Sequence, residues 1–311
     1  MPIYLLFFRI SPAYVTMKYH QTFKYLLNLI NQAKMKKTSV IFGIFIAAIL
    51  ALAVFAFASP GTNQAAAANG KSGREVNIPE NAVEVAPGVF SLGTREHNGE
   101  IVEGIAIVDY KKGYSHKPGH VSGAASTTTK CYAFFARGAK WKNIEPYLVN
   151  PSNTRGLNSN FVFDNVASDI AKWESASGVN IFGAGNLTSA TLTADRASPD
   201  NLNEVYFADV ASPGAIAVTI VWGIFSGPVS NRKLVEWDQV YDDIDFDWSS
   251  SGEAGKMDFE NIATHELGHS TGMGHPSDSC TEETMFRFAD YGETKKRDLN
   301  SGDIAGIQDL Y

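Results

Sequence analysis

The sequence runs to 311 residues, 44% hydrophobic and 19% charged, with a net charge of -7. That is enough apolar material for one large domain or two small ones. Two cysteines exclude a disulfide-dense miniprotein, and the acidic balance speaks against a nucleic-acid partner, whose footprint is basic.

Charge is unevenly placed. Six of the 26 basic residues and none of the 33 acids lie in residues 1–58, so the rest of the chain stands 13 charges negative. Val40 to Ala58 is an uninterrupted apolar run preceded by Lys34, Lys36 and Lys37. This is the pattern of a secretory signal, with a small-residue site at Ala56-Phe57-Ala58 or in the run Ala65 to Ala68. A run of this length also spans a bilayer. Residues 35–58 therefore read as a cleaved signal or a retained anchor, and the membrane is touched only through this segment if it stays uncleaved. Either way the body of the chain is expected to be secreted or on the extracellular face of the cell membrane. Met35 is a natural start for such a signal, with Met17 as a second candidate. Residues 1–34 are then an upstream extension, either untranslated or cytoplasmic.

Residues 59–75 are small, polar and aperiodic, a linker composition. Residues 76–130 read as a small β-rich module: Val89 to Leu92 and Ile101 to Tyr110 flank Asn98-Gly99, a hairpin turn signal. A module of this size is expected to lean on its neighbour. Its tail holds His116 and His120, but Pro118 and Gly119 between them make a loop with surface histidines.

From 131 to 311 the texture is α+β. Ile144 to Val149 is a short strand, and apolar residues at 161, 163, 166, 170 and 173 repeat with a helical period. Val205 to Val210, Ala215 to Trp222 and Leu234 to Tyr241 are strand-like. Asp258 can cap a helix that stops near Gly272, and a last helix fits Asp303 to Tyr311.

Chemistry concentrates in His265-Glu266-Leu267-Gly268-His269, followed by Gly272 and His275. Histidines at i and i+4 leave one helical face close enough to share a metal. Glu266 stands one step round the helix, beside the metal rather than on it. Gly272 can take positive φ, letting the chain leave the helix and bring His275 back as a third ligand. Three neutral nitrogen donors on zinc leave a fourth position open, the arrangement of a catalytic site, whereas a structural zinc has four protein ligands.

This run resembles the zinc signature of the metzincin metalloendopeptidases, and its surroundings resemble the matrixin branch. Trp141 to Pro151 is similar to the first strand of matrixin catalytic domains, and Asp303-Ile304-Ala305-Gly306-Ile307-Gln308-Asp309-Leu310-Tyr311 to their closing helix. The similarity covers about 131–311. It implies a metzincin-like α+β domain with a twisted mixed sheet, an active-site helix and a C-terminal helix, preceded by the hairpin module. It also implies one catalytic zinc on His265, His269 and His275, Glu266 as general base, and Met285 in the turn beneath the metal. The substrate would be protein or peptide, bound extended along an edge strand; Ala215 to Thr219 is the candidate edge, although an unexposed core strand is equally compatible with those residues. A monomer is expected.

Departures from the family pattern limit what is carried over. Phe286 and Arg287 follow Met285, so no tyrosine assistance is expected, and no histidine between 121 and 264 is available for a second, structural zinc. The Pro-Arg-Cys-Gly latency motif is missing. Residues 76–130 are therefore either an inhibitory pro-segment or a permanent extension, and the missing motif favours the extension. Cys131 and Cys280 most simply pair in an oxidising compartment; a Cys131 thiolate on zinc and two free thiols are the alternatives. Asp242, Asp243, Asp245 and Asp247 can supply oxygen ligands to calcium, an ion common in the family, although a solvated turn is the simpler reading. Asp278 can orient the site through a hydrogen bond or cap a turn. The competing function is a non-catalytic surface protein-binding module that keeps the fold, against which Glu266 argues because such a module has no use for a carboxylate beside an open zinc.

Overall fold

The structure, a computed structural model, describes residues 75–114 and 130–311. The expectations for residues 1–58, most of the linker and the His116/His120 pair lie outside the described residues. All described residues belong to one unit, Ala67–Tyr311. None of their helices is long and apolar enough to cross a membrane.

In chain order the strands are β1 (Glu75–Val76), β2 (Val83–Ala86), β3 (Val89–His97), β4 (Glu100–Lys111), β5 (Ala133–Phe134) and β6 (Tyr147–Val149). Helix α1 (Ser159–Ser177) follows, then β7 (Gly185–Leu187), β8 (Glu204–Val210), β9 (Ala215–Ile224), β10 (Lys233–Asp242), β11 (Trp248–Ser249) and β12 (Met257–Asp258). The chain closes with α2 (Phe259–Thr271), β13 (Met273–Gly274), β14 (Phe288–Ala289) and α3 (Ser301–Leu310). Most of the expected elements extend past the anticipated limits, whereas the strand expected from Ile144 forms only over Tyr147–Val149 and the last helix runs from Ser301 to Leu310. Helix α1 begins at the Asn158 cap, whose side chain accepts from the Asn160 and Phe161 amides, and ends at Gly178 with φ 76°.

One ten-stranded sheet runs in the order β2-β3-β4-β9-β10-β8-β6-β7, with β1 joined to β8 and β14 to β4. Strand β9 is antiparallel to both β4 and β10, whereas β10, β8, β6 and β7 are mutually parallel. Asn98 and Gly99 turn the β3–β4 hairpin with φ 51° and 80°, the left-handed pair that a two-residue turn requires.

The hairpin is continuous with the rest of the fold. Glu103 to Tyr110 of β4 pair with Ala215 to Gly223 of β9, so hairpin and metzincin-like region share a single sheet. Of the two readings of Ala215 to Thr219, the candidate edge is not what forms: the strand is enclosed. Strand β9 has a partner on each side and is buried almost throughout, which explains its near-continuous apolar sequence. Gly104 of β4 lies opposite Trp222, and a Cβ there would come within 2.7 Å of the indole.

Two cores result, one on each sheet face. One holds Trp173, Trp237, Phe259, Leu267 and Met285 between the sheet and the helices. The other holds Phe90, Val108, Tyr206 and Trp222 on the opposite face. Along β4 the alternation of side chains sends Ala106, Val108 and Tyr110 to this second core. Ile105, Ile107 and Asp109 therefore share the face that looks toward α2.

Candidate metal centre

Helix α2 is built to bury polar side chains. Asp258 caps it by accepting the Asn261 amide at 3.0 Å, and Arg297 pairs with the same carboxylate at 2.6 Å. Packed on the sheet, α1 and α3, the helix buries every residue except Glu260. Neighbouring donors satisfy its turns: the Trp173 indole donates to the Thr264 carbonyl at 2.8 Å, the Trp141 indole to the Ser270 carbonyl at 2.8 Å, and the Tyr311 hydroxyl to the Thr271 carbonyl at 3.0 Å.

The helix ends at Gly272, with φ 108°, and a Cβ there would meet the Ala139 carbonyl at 2.7 Å. Glycine is therefore needed for both conformation and space. Strand β13 then pairs antiparallel with β5 and carries the chain back to His275. The Nε2 atoms of His269 and His275 lie 3.1 Å apart, and those of His275 and His265 3.3 Å apart. Tetrahedral zinc with Zn–N distances near 2.0–2.1 Å needs donors about 3.3 Å apart. On their far sides, His265 Nδ1 donates to the Thr284 carbonyl at 2.5 Å and His269 Nδ1 to the Met273 carbonyl at 2.9 Å. These bonds place the proton on Nδ1 and leave the Nε2 lone pair facing inward. Burial pushes His265 down to about 3 and lowers His275 as well, so both rings are neutral at ordinary pH.

A fourth group converges on the same point. The Asp109 carboxylate of β4, 4% exposed, places Oδ1 at 3.0 Å from His265 Nε2 and 2.9 Å from His275 Nε2. Its Oδ2 lies 3.5 Å from His269 Nε2. Lone pairs facing a carboxylate at such distances repel unless a cation lies between them. The donor set therefore fits a metal ion, and the three imidazoles with one oxygen fit zinc.

Glu266 is fully buried on the same helix. Its Oε2 accepts from the Thr219 hydroxyl of β9 at 2.5 Å, while Oε1 has no partner. Burial, and after it the negative charge of Asp109, pushes the Glu266 carboxyl well above the ordinary range. Beneath the helix Met285 is buried against Gly268, where an added Cβ would also meet the Trp173 indole at 2.7 Å. Asp303 of α3 accepts the Thr284 amide at 2.7 Å and the Met285 amide at 3.0 Å. It thereby positions the carbonyl that holds His265. Lys296 is buried with Nζ 3.4 Å from His265 Nδ1, donates to the Phe286 carbonyl, and is lowered to about 8 by burial.

Other predicted site residues lie elsewhere. Asp278 pairs with Arg287 on the exposed loop, which draws it away from the histidines. Asp242 and Asp243 are buried rather than solvated, and the backbone uses them. Asp242 accepts the Val210, Ile244 and Asp245 amides, and Asp243 accepts the Thr154 amide. Asp247 pairs with Arg155 at 3.1 Å. These acids do not gather into a cluster. Among the described residues the only other group able to hold a metal is Asp195, Glu236 and Asp238. There Asp195 donates its amide to Asp238 at 2.8 Å, and burial pushes Glu236 up to about 9. The sulfurs of Cys131 and Cys280 are bonded, which ties the loop after His275 to the start of β5.

The missed residues had weak signals. Asp109 stands 166 residues before His275, and Thr219 is one hydroxyl in an apolar strand. An acid on the core-facing side of β4, in step with Ile105 and Ile107, was the available clue.

The fold and the centre define a metzincin-type α+β region. Residues 231–311 match the Matrixin peptidase family profile, and this region is matrixin-like. It is similar to matrilysin of Homo sapiens, 42% identical over 69 residues, which is 22% of this chain and 25% of matrilysin. It is likewise similar to metalloendoproteinase 1-MMP of Arabidopsis thaliana, 40% identical over 68 residues, 22% of this chain and 18% of that protein. Metalloendoproteinase 4-MMP of the same plant is 39% identical over 70 residues, again 22% of this chain and 18% of the relative. The chain thus spans a quarter or less of the length of these relatives.

Proposed function

We propose that the chain is an exported zinc endopeptidase that hydrolyses peptide bonds in protein or peptide substrates. The carrying observation is the convergence of three histidine Nε2 atoms, with His275 3.1 Å from His269 and 3.3 Å from His265, beside a buried, half-satisfied Glu266. In this reading His265, His269 and His275 hold the ion, and Met285 packs beneath them. When bound, zinc supplies Lewis-acid polarisation of the scissile carbonyl and of the attacking water.

The remaining steps belong to the protein. Glu266 takes the proton of the attacking water at Oε1 and delivers it to the leaving amine. Thr219 holds Oε2, so the carboxylate keeps one orientation through both transfers. Burial raises the Glu266 carboxyl, which makes its carboxylate a stronger base toward the water proton. Asp303 and Thr284 fix the His265 ring. Export rests on the basic flank and apolar run of residues 35–58, which would place a monomeric enzyme outside the cell or on its outer face.

The test is zinc content together with a peptide-library digest, before and after brief treatment with immobilised trypsin that is then removed. One zinc per chain and cleavage that disappears in Glu266→Ala support the reading. Cleavage undiminished in that variant, or no bound zinc, overturns it.

A further inference from the structure

We infer that Asp109 is a fourth protein ligand of the metal and that β4, which carries it, fills the peptide-binding edge of β9, so the chain as described is a self-blocked form. This rests on the zinc reading above and names how that centre is regulated.

Two independent observations meet at β4. The first is chemical. Asp109 is buried, its Oδ1 lies 2.9 and 3.0 Å from two inward-facing imidazole nitrogens, and its Oδ2 has no hydrogen-bond donor. A cation between this carboxylate and the inward lone pairs of His265 and His269 balances the buried charge and removes their repulsion. It then takes the place at which water and a substrate carbonyl must meet the ion, because a four-coordinate site with four protein ligands is closed.

The second is topological. Extended peptides bind by adding a strand to an exposed sheet edge. The strand nearest the centre is β9, whose Thr219 touches Glu266 and whose Ala217 lies opposite Asp109. From Glu103 to Tyr110, β4 already occupies that edge in antiparallel register. Carboxylate and strand are thus one device: the strand places Asp109, and Asp109 adds a metal bond to the strand's pairing. No cysteine latch is involved, since Cys131 is bonded to Cys280.

Opposite responses of two affinities test this in the full chain. Wild type, Asp109→Ala and Asp109→Asn are loaded with Co²⁺, and metal affinity is measured by competition with a chromophoric chelator. Acetohydroxamate binding is then followed through the cobalt absorption bands. Loss of even an outer-shell partner costs about 10–100-fold in metal affinity. Asp109→Ala should therefore bind cobalt at least about 10-fold more weakly, yet bind acetohydroxamate at least about 10-fold more tightly. Asp109→Asn keeps the side-chain size and carries the test if the alanine variant does not fold. Equal hydroxamate affinity in wild type and variant, or unchanged metal affinity, overturns the inference while leaving the zinc centre standing. Failure of wild type and variants alike to bind cobalt overturns the underlying zinc reading instead.

Discussion

Replacing both Cys131 and Cys280 by alanine should destabilise the fold without dismantling the metal centre. The bond spans a sequence separation of 149, and the chain-entropy relation gives about 5 kcal/mol for a loop of that size, against a usual range of about 2–5 kcal/mol. The lower part of that range is expected. Cys131 is also held by packing: a Cβ on Gly302 would come within 2.9 Å of the Cys131 carbonyl carbon. Glu283 in the same loop accepts the Gly302 amide at 2.9 Å. Part of the constraint therefore survives loss of the bond. Guanidinium unfolding, followed by fluorescence of the buried Trp173, Trp222 and Trp237, should show a lower midpoint and a loss of about 2–4 kcal/mol. Zinc content should stay at one per chain, because no metal-facing atom is altered. A loss below about 1 kcal/mol, or zinc lost with the bond, would refute this reasoning.

Further outcomes follow from the buried polar groups. Thr219→Val removes the hydrogen bond that holds Glu266 Oε2 while keeping the β-branched shape. A bond to a charged group is worth about 1.5–3 kcal/mol, so turnover should fall by roughly 10–100-fold with zinc retained; unchanged turnover contradicts the role of Thr219. Glu236 has its carboxyl pushed up to about 9 by burial, from an ordinary 4.5. The folded state keeps a proton that the unfolded chain releases, so this stability is complete below 4.5 and is lost as pH rises toward 9. Melting temperature should accordingly fall between pH 5 and pH 9, and Glu236→Gln should flatten that fall. A steeper fall in the variant would reverse the sign of the linkage.

How much of the molecule was legible depended on whether the determining interactions were local. The Asn98-Gly99 turn, the Asp258 cap, the Gly272 stop and the 3.6-residue period of α1 are set by neighbours in sequence, and each falls where the residues place it. The three histidines were legible because two are linked by helical geometry and the third by a glycine exit. Pairing between distant strands was not legible. Nothing local to Ala215 to Thr219 distinguishes an edge from a strand enclosed by β4, and nothing near Asp109 announces three histidines. The acids of 242–247 looked solvated because charge usually is. Asp245 and Asp247 are indeed exposed, whereas the burial of Asp242 and Asp243 depends on amides of residues 154 and 210 as well as of their own turn, which only the folded chain brings together.

The central claim, that the three-histidine centre with Glu266 cleaves peptides, is tested most directly by wild type and Glu266→Ala measured side by side. Both proteins are zinc-loaded, given the same brief immobilised-trypsin treatment and offered one peptide library. The account predicts one zinc in each and cleavage by wild type that falls at least about 100-fold in the variant. Equal cleavage by the two proteins, or one zinc in each with no cleavage by wild type, would contradict it.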